Sequence, residues 1–217
     1  MTDFNAARIN MVENQVRCNG VTDLRLIAAM STVARERFVP EANRGIAYMD
    51  EDLAIGNGRH LLQPRVFAKL CQFAEVTATD KVLDVGCATG YSTAVLAQLA
   101  ASVVGLEEDA TLAAAATAAL AEAGVSNASV VTGSLREGAA KQGPYEVIFL
   151  NGSVPVKPEH LFGQLAEGGR LLVVIGGDPV GHAHLFVRAQ GTVSGRVVFD
   201  ANVRALPSFE VAESFVF

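Results

Sequence analysis

From Lys81 onward the chain alternates short apolar runs with longer stretches of helical patterning. The apolar runs at 81–86, 103–107, 128–132, 145–150 and 170–175 predict strands. Helices are predicted at 91–100, 109–123, 135–141 and 158–166. Asp109 reads as the cap or first-turn acid of the Ala-rich helix, and Gly124 as the residue that ends it. Alternation at this spacing predicts an α/β fold, a mostly parallel doubly wound sheet with helices on both faces. Beyond it, 184–188 and 196–203 are β-rich about the sequence GTVSG, which predicts an antiparallel hairpin closing one sheet edge. The first eighty residues are patterned as helices. One covers Phe4 to Val16, and a second is capped by Thr22 with Leu24, Ile27, Ala28 and Met30 on its apolar face. A third starts at Pro64 and runs to about Ala74. Tyr48 to Gly58 reads as loop. Nothing divides the chain, so the expectation is one domain over 1–217, with a helical segment and loop at 1–80 and the sheet core at 81–217.

The chemistry concentrates where the first predicted strand ends, in KVLDVGCATG from Lys81 to Gly90. An apolar run carrying Asp84 meets a turn with Gly86 and Gly90, and the next strand ends in Glu107. That is a βαβ unit with a carboxylate at the second strand tip, the arrangement that binds a nucleoside. Gly86 lets the backbone turn and approach a ligand, and Gly90 lets the helix pack close to the strand. Glu107 is placed to accept from both ribose hydroxyls. The spacing Gly-x-x-x-Gly is not the Gly-x-Gly-x-x-Gly of dinucleotide binders, and no pyrophosphate site is evident. An adenosine with a phosphate-free tail, such as S-adenosylmethionine, suits it better, and a nicotinamide oxidoreductase is disfavoured.

Composition narrows the rest. Half the residues are hydrophobic and 18% are charged, so a folded core is expected. The net charge of −6, with no basic block, argues against nucleic acid as a partner. No apolar run is long enough for a membrane span, and the first ten residues carry no apolar signal region. Cys18, Cys71 and Cys87 have no metal-like spacing, which fits a reducing cytoplasm. Cys87 reads as a small filler under the glycine turn. His182 and His184 form an H-x-H pair that reads as surface, not as a metal site.

Taken in order, the motifs resemble the protein-L-isoaspartate O-methyltransferases, a branch of the class I methyltransferases with a Rossmann-like core. The resemblance runs through MVENQVRCNGVTDLRLIAAMSTVARERFVP, AYMDEDLAIGNG, KVLDVGCATGYSTAVLAQLA, LFGQLAEGGRLLVVIG and the closing VRALP. It implies S-adenosylmethionine as cofactor and the carboxylate of isoaspartyl residues in damaged protein or peptide substrates as methyl acceptor. It also implies a cofactor site of Asp84, Gly86, Gly90, Glu107 and the Ser134 turn. The substrate loop is implied at Ile55 to Leu62, facing the strand tip Asn151 to Ser153.

The chain departs from the family pattern at several of these places. In GNGRHLLQP, Arg59 stands where the family has Gln, His60 where it has Thr, and Leu62 where it has a Ser that holds the substrate carboxylate. Ala88 replaces a middle glycine, and Ser134 replaces an acid that faces the adenine amino group. Arg59 and protonated His60 are the candidate charged donors in place of the missing hydroxyl. Solvated loop residues are the plain alternative for both. At the level of function the alternatives are a methyltransferase of the same fold with another substrate, and a non-catalytic descendant.

Overall fold

A computed structural model describes residues 3–176 and 179–209. Its centre is a sheet ordered β5-β4-β3-β6-β7-β8-β9. β3 (Lys81–Val85), β4 (Ser102–Glu107), β5 (Ala128–Thr132), β6 (Tyr145–Val154) and β7 (Leu165–Ile175) run parallel. β8 (His182–Ala189) and β9 (Thr192–Asp200) follow antiparallel. The period of two in the apolar runs explains the two faces. Val82, Val147, Phe149, Leu172 and Val174 join one buried cluster with the N-terminal helices. Leu83, Val85, Ile148, Leu150, Leu171 and Val173 join another on the opposite face. Each fully buried side chain of this size contributes roughly 1.5–3 kcal/mol, so a one-residue slip in any strand is strongly opposed.

Five α-helices lie among the described residues. α1 (Phe4–Met11) passes into a wider π turn at Val12–Val16 and a 3₁₀ turn at Arg17–Asn19, so the expected single helix to Val16 loosens after Met11. α2 (Leu24–Thr32) is capped by Asp23, whose side chain accepts from the Arg25 amide, and not by Thr22. α3 (Pro64–Ala74) starts on its proline as expected. α4 (Tyr91–Ala97) follows the glycine turn. In α5 (Ala110–Glu122), Asp109 caps through the Thr111 and Leu112 amides, and Gly124 adopts the left-handed conformation just past the end.

Three other expectations are corrected. The stretches 135–141 and 158–166 form no α-helix; they hold only the 3₁₀ turns Ala140–Gln142 and Glu159–Gln164. Both are too short for a helix stripe, and Leu135, Ala139 and Leu161 instead plug the second core directly. Within the expected loop lies a hairpin, β1 (Leu53–Gly56) and β2 (Arg59–Leu61), turning at Asn57-Gly58 with φ of 51° and 70°. The β8–β9 turn falls at Gln190-Gly191, while the rest of GTVSG pairs inside β9.

Candidate functional site

The parallel strands end on one edge, and the candidate residues meet there. β3 carries Asp84 near its end, Gly86 turns with φ +75°, and Gly90 opens α4 with φ +93°. β4 ends in Glu107, which is fully buried. Its Oε1 accepts from the amides of Glu108 and Asp109 at 3.0 and 3.2 Å. Its Oε2 accepts from the Ala88 amide at 2.8 Å and from Arg59 Nη2 at 3.0 Å. The carboxylate therefore fixes the glycine turn from the neighbouring strand. Charge-assisted bonds of this kind are worth roughly 1.5–3 kcal/mol each. Beneath the turn Cys87 does act as filler: a Cβ at Gly105 would meet its sulfur at 3.0 Å.

Asp84 takes a different part. Its Oδ2 accepts from the hydroxyls of Ser92 at 2.7 Å and Thr93 at 2.6 Å, and Oδ1 accepts from Asn151 Nδ2. It thus clamps the start of α4 and the tip of β6, and makes no bond to the turn amides. Burial pushes its carboxyl up to about 6, the three donors oppose that, and the Glu107 charge adds to it. Ala88 sits at φ +53°, in the left-handed region, and is buried. Ser134 lies exposed beyond β5, and its Oγ accepts from the Glu137 amide at 3.4 Å. Arg59 and the glycine turn meet at Glu107, Asp84 binds α4 and the β6 tip, and the Ser134 side chain is bonded into its own turn.

The β1–β2 hairpin covers this edge. Asn57 Nδ2 donates to Asp109 Oδ2 at 2.7 Å and ties the hairpin tip to the start of α5. Arg59 is buried, and its Nε and Nη1 have no hydrogen-bond partner within the protein. His60 Nδ1 is likewise buried without a partner. Leu62 is buried, and its carbonyl accepts from Arg35 Nη2 at 2.9 Å. Arg59, His60, Leu62 and Asn151 share one small cavity with Gly58, Arg204, Ala205 and Leu206. The hairpin and the β6 tip therefore face each other.

Two parts of the site carry no local sequence signal of their role. Arg35 is fully buried, donates to the Ala47 and Leu62 carbonyls, and lies 4.7 Å from the Tyr91 ring centroid. The segment around VRALP returns to the strand tips. Ser153 pairs with Ala205, and Leu206 packs where a Cβ on Gly152 would come within 2.8 Å of it.

The site fits an adenosyl cofactor by two features of the chain itself. A carboxylate stands at the tip of β4 beside a left-handed glycine, and a Cβ on that glycine would meet first the far ends of two flexible side chains, those of Arg59 and Leu206. His182 and His184 are not part of it. His182 Nδ1 lies 2.8 Å from Asp200 Oδ1 on the edge hairpin, and His184 stacks on Phe186. Among the described residues no cluster of His, Cys, Asp or Glu is placed to hold a metal.

Residues 7–207 match the family model described as protein-L-isoaspartate(D-aspartate) O-methyltransferase. The chain is 42% identical over 190 residues to a protein-L-isoaspartate O-methyltransferase of Koribacter versatilis, covering 88% of this chain and 85% of that one. It is 40% identical over 177 residues to a protein-L-isoaspartate O-methyltransferase 1 of Rhodopseudomonas palustris, covering 82% and 72%. A solved protein-L-isoaspartate O-methyltransferase superposes with a TM-score of 0.79 at 25% identity, over 92% of this chain and 65% of that one. A Plasmodium falciparum protein described as such a methyltransferase, in complex with S-adenosyl-L-homocysteine, shares the fold with a TM-score of 0.78 at 21% identity, over 92% and 97%.

Proposed function

The chain belongs to the protein-L-isoaspartate O-methyltransferase family, and we propose that it methylates the free carboxylate of isoaspartyl residues in damaged proteins. S-adenosylmethionine is the cofactor, and when bound it supplies the methyl group. The observation that carries this reading is the pairing of a buried Glu107 carboxylate with the glycine turn at the tips of β3 and β4.

The residues have little bond chemistry to perform. An isoaspartyl carboxylate is ionised at neutral pH, since free carboxyls titrate near 4, so no general base is required. The protein must hold that anion in line, and keep water away. Glu107 and the Gly86 turn hold the nucleoside part. Asp84 keeps α4 and the β6 tip in register through Ser92, Thr93 and Asn151. Leu62 excludes water but offers no hydroxyl. The donors placed there are Arg59 and His60, which line the cavity with Asn151 and have nitrogens without a partner in the protein.

Further elements of the reading rest on composition and core. Met11, Leu26, Phe67 and Phe149 belong to one buried cluster, which supports a single domain over 1–217. The three cysteines are free thiols, which supports a cytoplasmic location. The net charge of −6 supports protein, not nucleic acid, as the partner. No helix among the described residues is long and apolar enough to cross a membrane.

The test pairs calorimetric titration of S-adenosylhomocysteine with a methyl-transfer assay on an isoaspartyl peptide and its normal aspartyl counterpart. Saturable binding weakened in Glu107→Gln, with transfer to the isoaspartyl peptide alone, is expected. Binding without transfer to either peptide would refute the substrate, and no binding would refute the cofactor.

A further inference from the structure

The cofactor cradle is closed in this structure, and the side chains of Arg59 and Leu206 lie over its glycine. The cavity between the hairpin and the glycine turn holds only about 10 Å³. Ligand sites for small molecules and cofactors run to roughly 300–1,000 Å³. A Cβ built on Gly86 would lie 2.5 Å from Arg59 Nη2 and 3.0 Å from Leu206 Cδ2. The guanidinium thus lies directly on the bare backbone of the turn. The same Nη2 donates to Glu107 Oε2, the oxygen that also accepts from the Ala88 amide. Arg59 Nε and Nη1 have no partner, although the side chain is 4% exposed. Buried donors left without acceptors are costly, so this resting place satisfies the arginine at one nitrogen and not at the others. The hairpin is held at its tip by the Asn57 side chain on Asp109 and just past its end by the Leu62 carbonyl on Arg35. Opening the cradle therefore falls to side-chain rotation.

Resting on the functional reading above, we propose that Arg59 is an internal competitor for the cofactor and the residue that sets the order of binding. Ribose hydroxyls and the guanidinium both need Glu107 Oε2 and the space over Gly86, so they exclude each other. In the closed form Arg59 neutralises Glu107 and holds the cradle shut. Once the nucleoside displaces it, the guanidinium turns into the cavity shared by His60 and Asn151 and becomes the cation that receives the substrate carboxylate. The peptide binds second, because the group that holds its carboxylate is engaged until the cofactor releases it.

The experiment is calorimetric titration of S-adenosylhomocysteine into the wild type, Arg59→Gln and Arg59→Lys, with steady-state kinetics on an isoaspartyl peptide. Wild-type affinity is reduced by the fraction of molecules with an open cradle. Arg59→Gln is therefore expected to bind S-adenosylhomocysteine about tenfold tighter, and Arg59→Lys to return toward the wild-type value. Arg59→Gln also raises the peptide KM more than it changes kcat. Equal or weaker S-adenosylhomocysteine affinity in a folded Arg59→Gln overturns the proposal and leaves the cofactor assignment standing. No binding to any of the proteins overturns both. Titration of an isoaspartyl peptide into the wild type, with and without S-adenosylhomocysteine, gives a second measure that does not depend on a variant folding. Tighter peptide binding in its presence is expected, and equal affinity without it overturns the proposed order.

Discussion

Single residues carry the strain and the charge of this site. Ala88 holds a left-handed φ that costs an L-residue roughly 1–2 kcal/mol, while burying its methyl returns about 0.8 kcal/mol. Ala88→Gly is therefore expected to leave stability to urea within about 1 kcal/mol of wild type. Ala94→Gly is the contrast. It lies fully buried inside α4, where losing the methyl and adding helical glycine should cost about 2 kcal/mol. Asp84 sets a pH dependence. Its folded carboxyl titrates at about 6 against an ordinary 3.8, because burial disfavours the charge. Its contribution to stability is complete below about pH 4 and is lost as pH rises through 6, a change of about 3 kcal/mol. Asp84→Asn should gain stability relative to wild type by about that amount between pH 4 and 8, read from unfolding at both ends. An unchanged difference would show that the carboxyl is not the titrating group. Sequence placed Asp84, Gly86, Gly90 and Glu107 at the strand tips, because each sits at a fixed offset from an apolar run. It did not show that Arg59 pairs with Glu107, since no local pattern links residues 48 positions apart.

Among elements, those with a clear period were legible and those held by tertiary contact were not. The five parallel strands and α3 stand close to where the apolar pattern put them. The expected helices at 135–141 and 158–166 failed because single apolar residues there plug the core without forming a stripe. The β1–β2 hairpin had a usable signal, Asn57-Gly58, the dipeptide that suits two successive positive φ angles. It was hidden because the flanking strands have only four and three residues. That turn holds the hairpin that covers the strand tips. Gly58→Ala forces a side chain into φ +70° and should cost about 1 kcal/mol. Asn57→Gly keeps the turn but removes the bond to Asp109, and should cost less. In both, amide exchange across Arg59–Leu61 should quicken, while the β6 and β7 amides stay protected. Equal protection of the hairpin would mean that the turn does not hold it.

At the scale of the whole molecule, the site is closed by chain segments far apart in sequence. Asp52 accepts from the Gln63 and Arg204 amides, joining hairpin and late segment across 152 positions. Leu206 and Phe209 are buried in the second cluster. A chain ending after Asn202 should keep its far-ultraviolet spectrum, because the sheet is complete at Asp200. It should lose roughly 3–6 kcal/mol of stability with those two side chains, measured by urea unfolding. Loss of the sheet signal itself would show that the late segment is needed for the fold and not only for the site. The pairing of Ser153 with Ala205 also bears on synthesis. A chain leaving the ribosome presents Gly86 and Glu107 long before residues 203–209 exist. Through that interval the strand tips lack the Ser153–Ala205 pairing and the cover of Leu206. The site is thus covered by a segment made long after the strands whose tips bear Gly86 and Glu107.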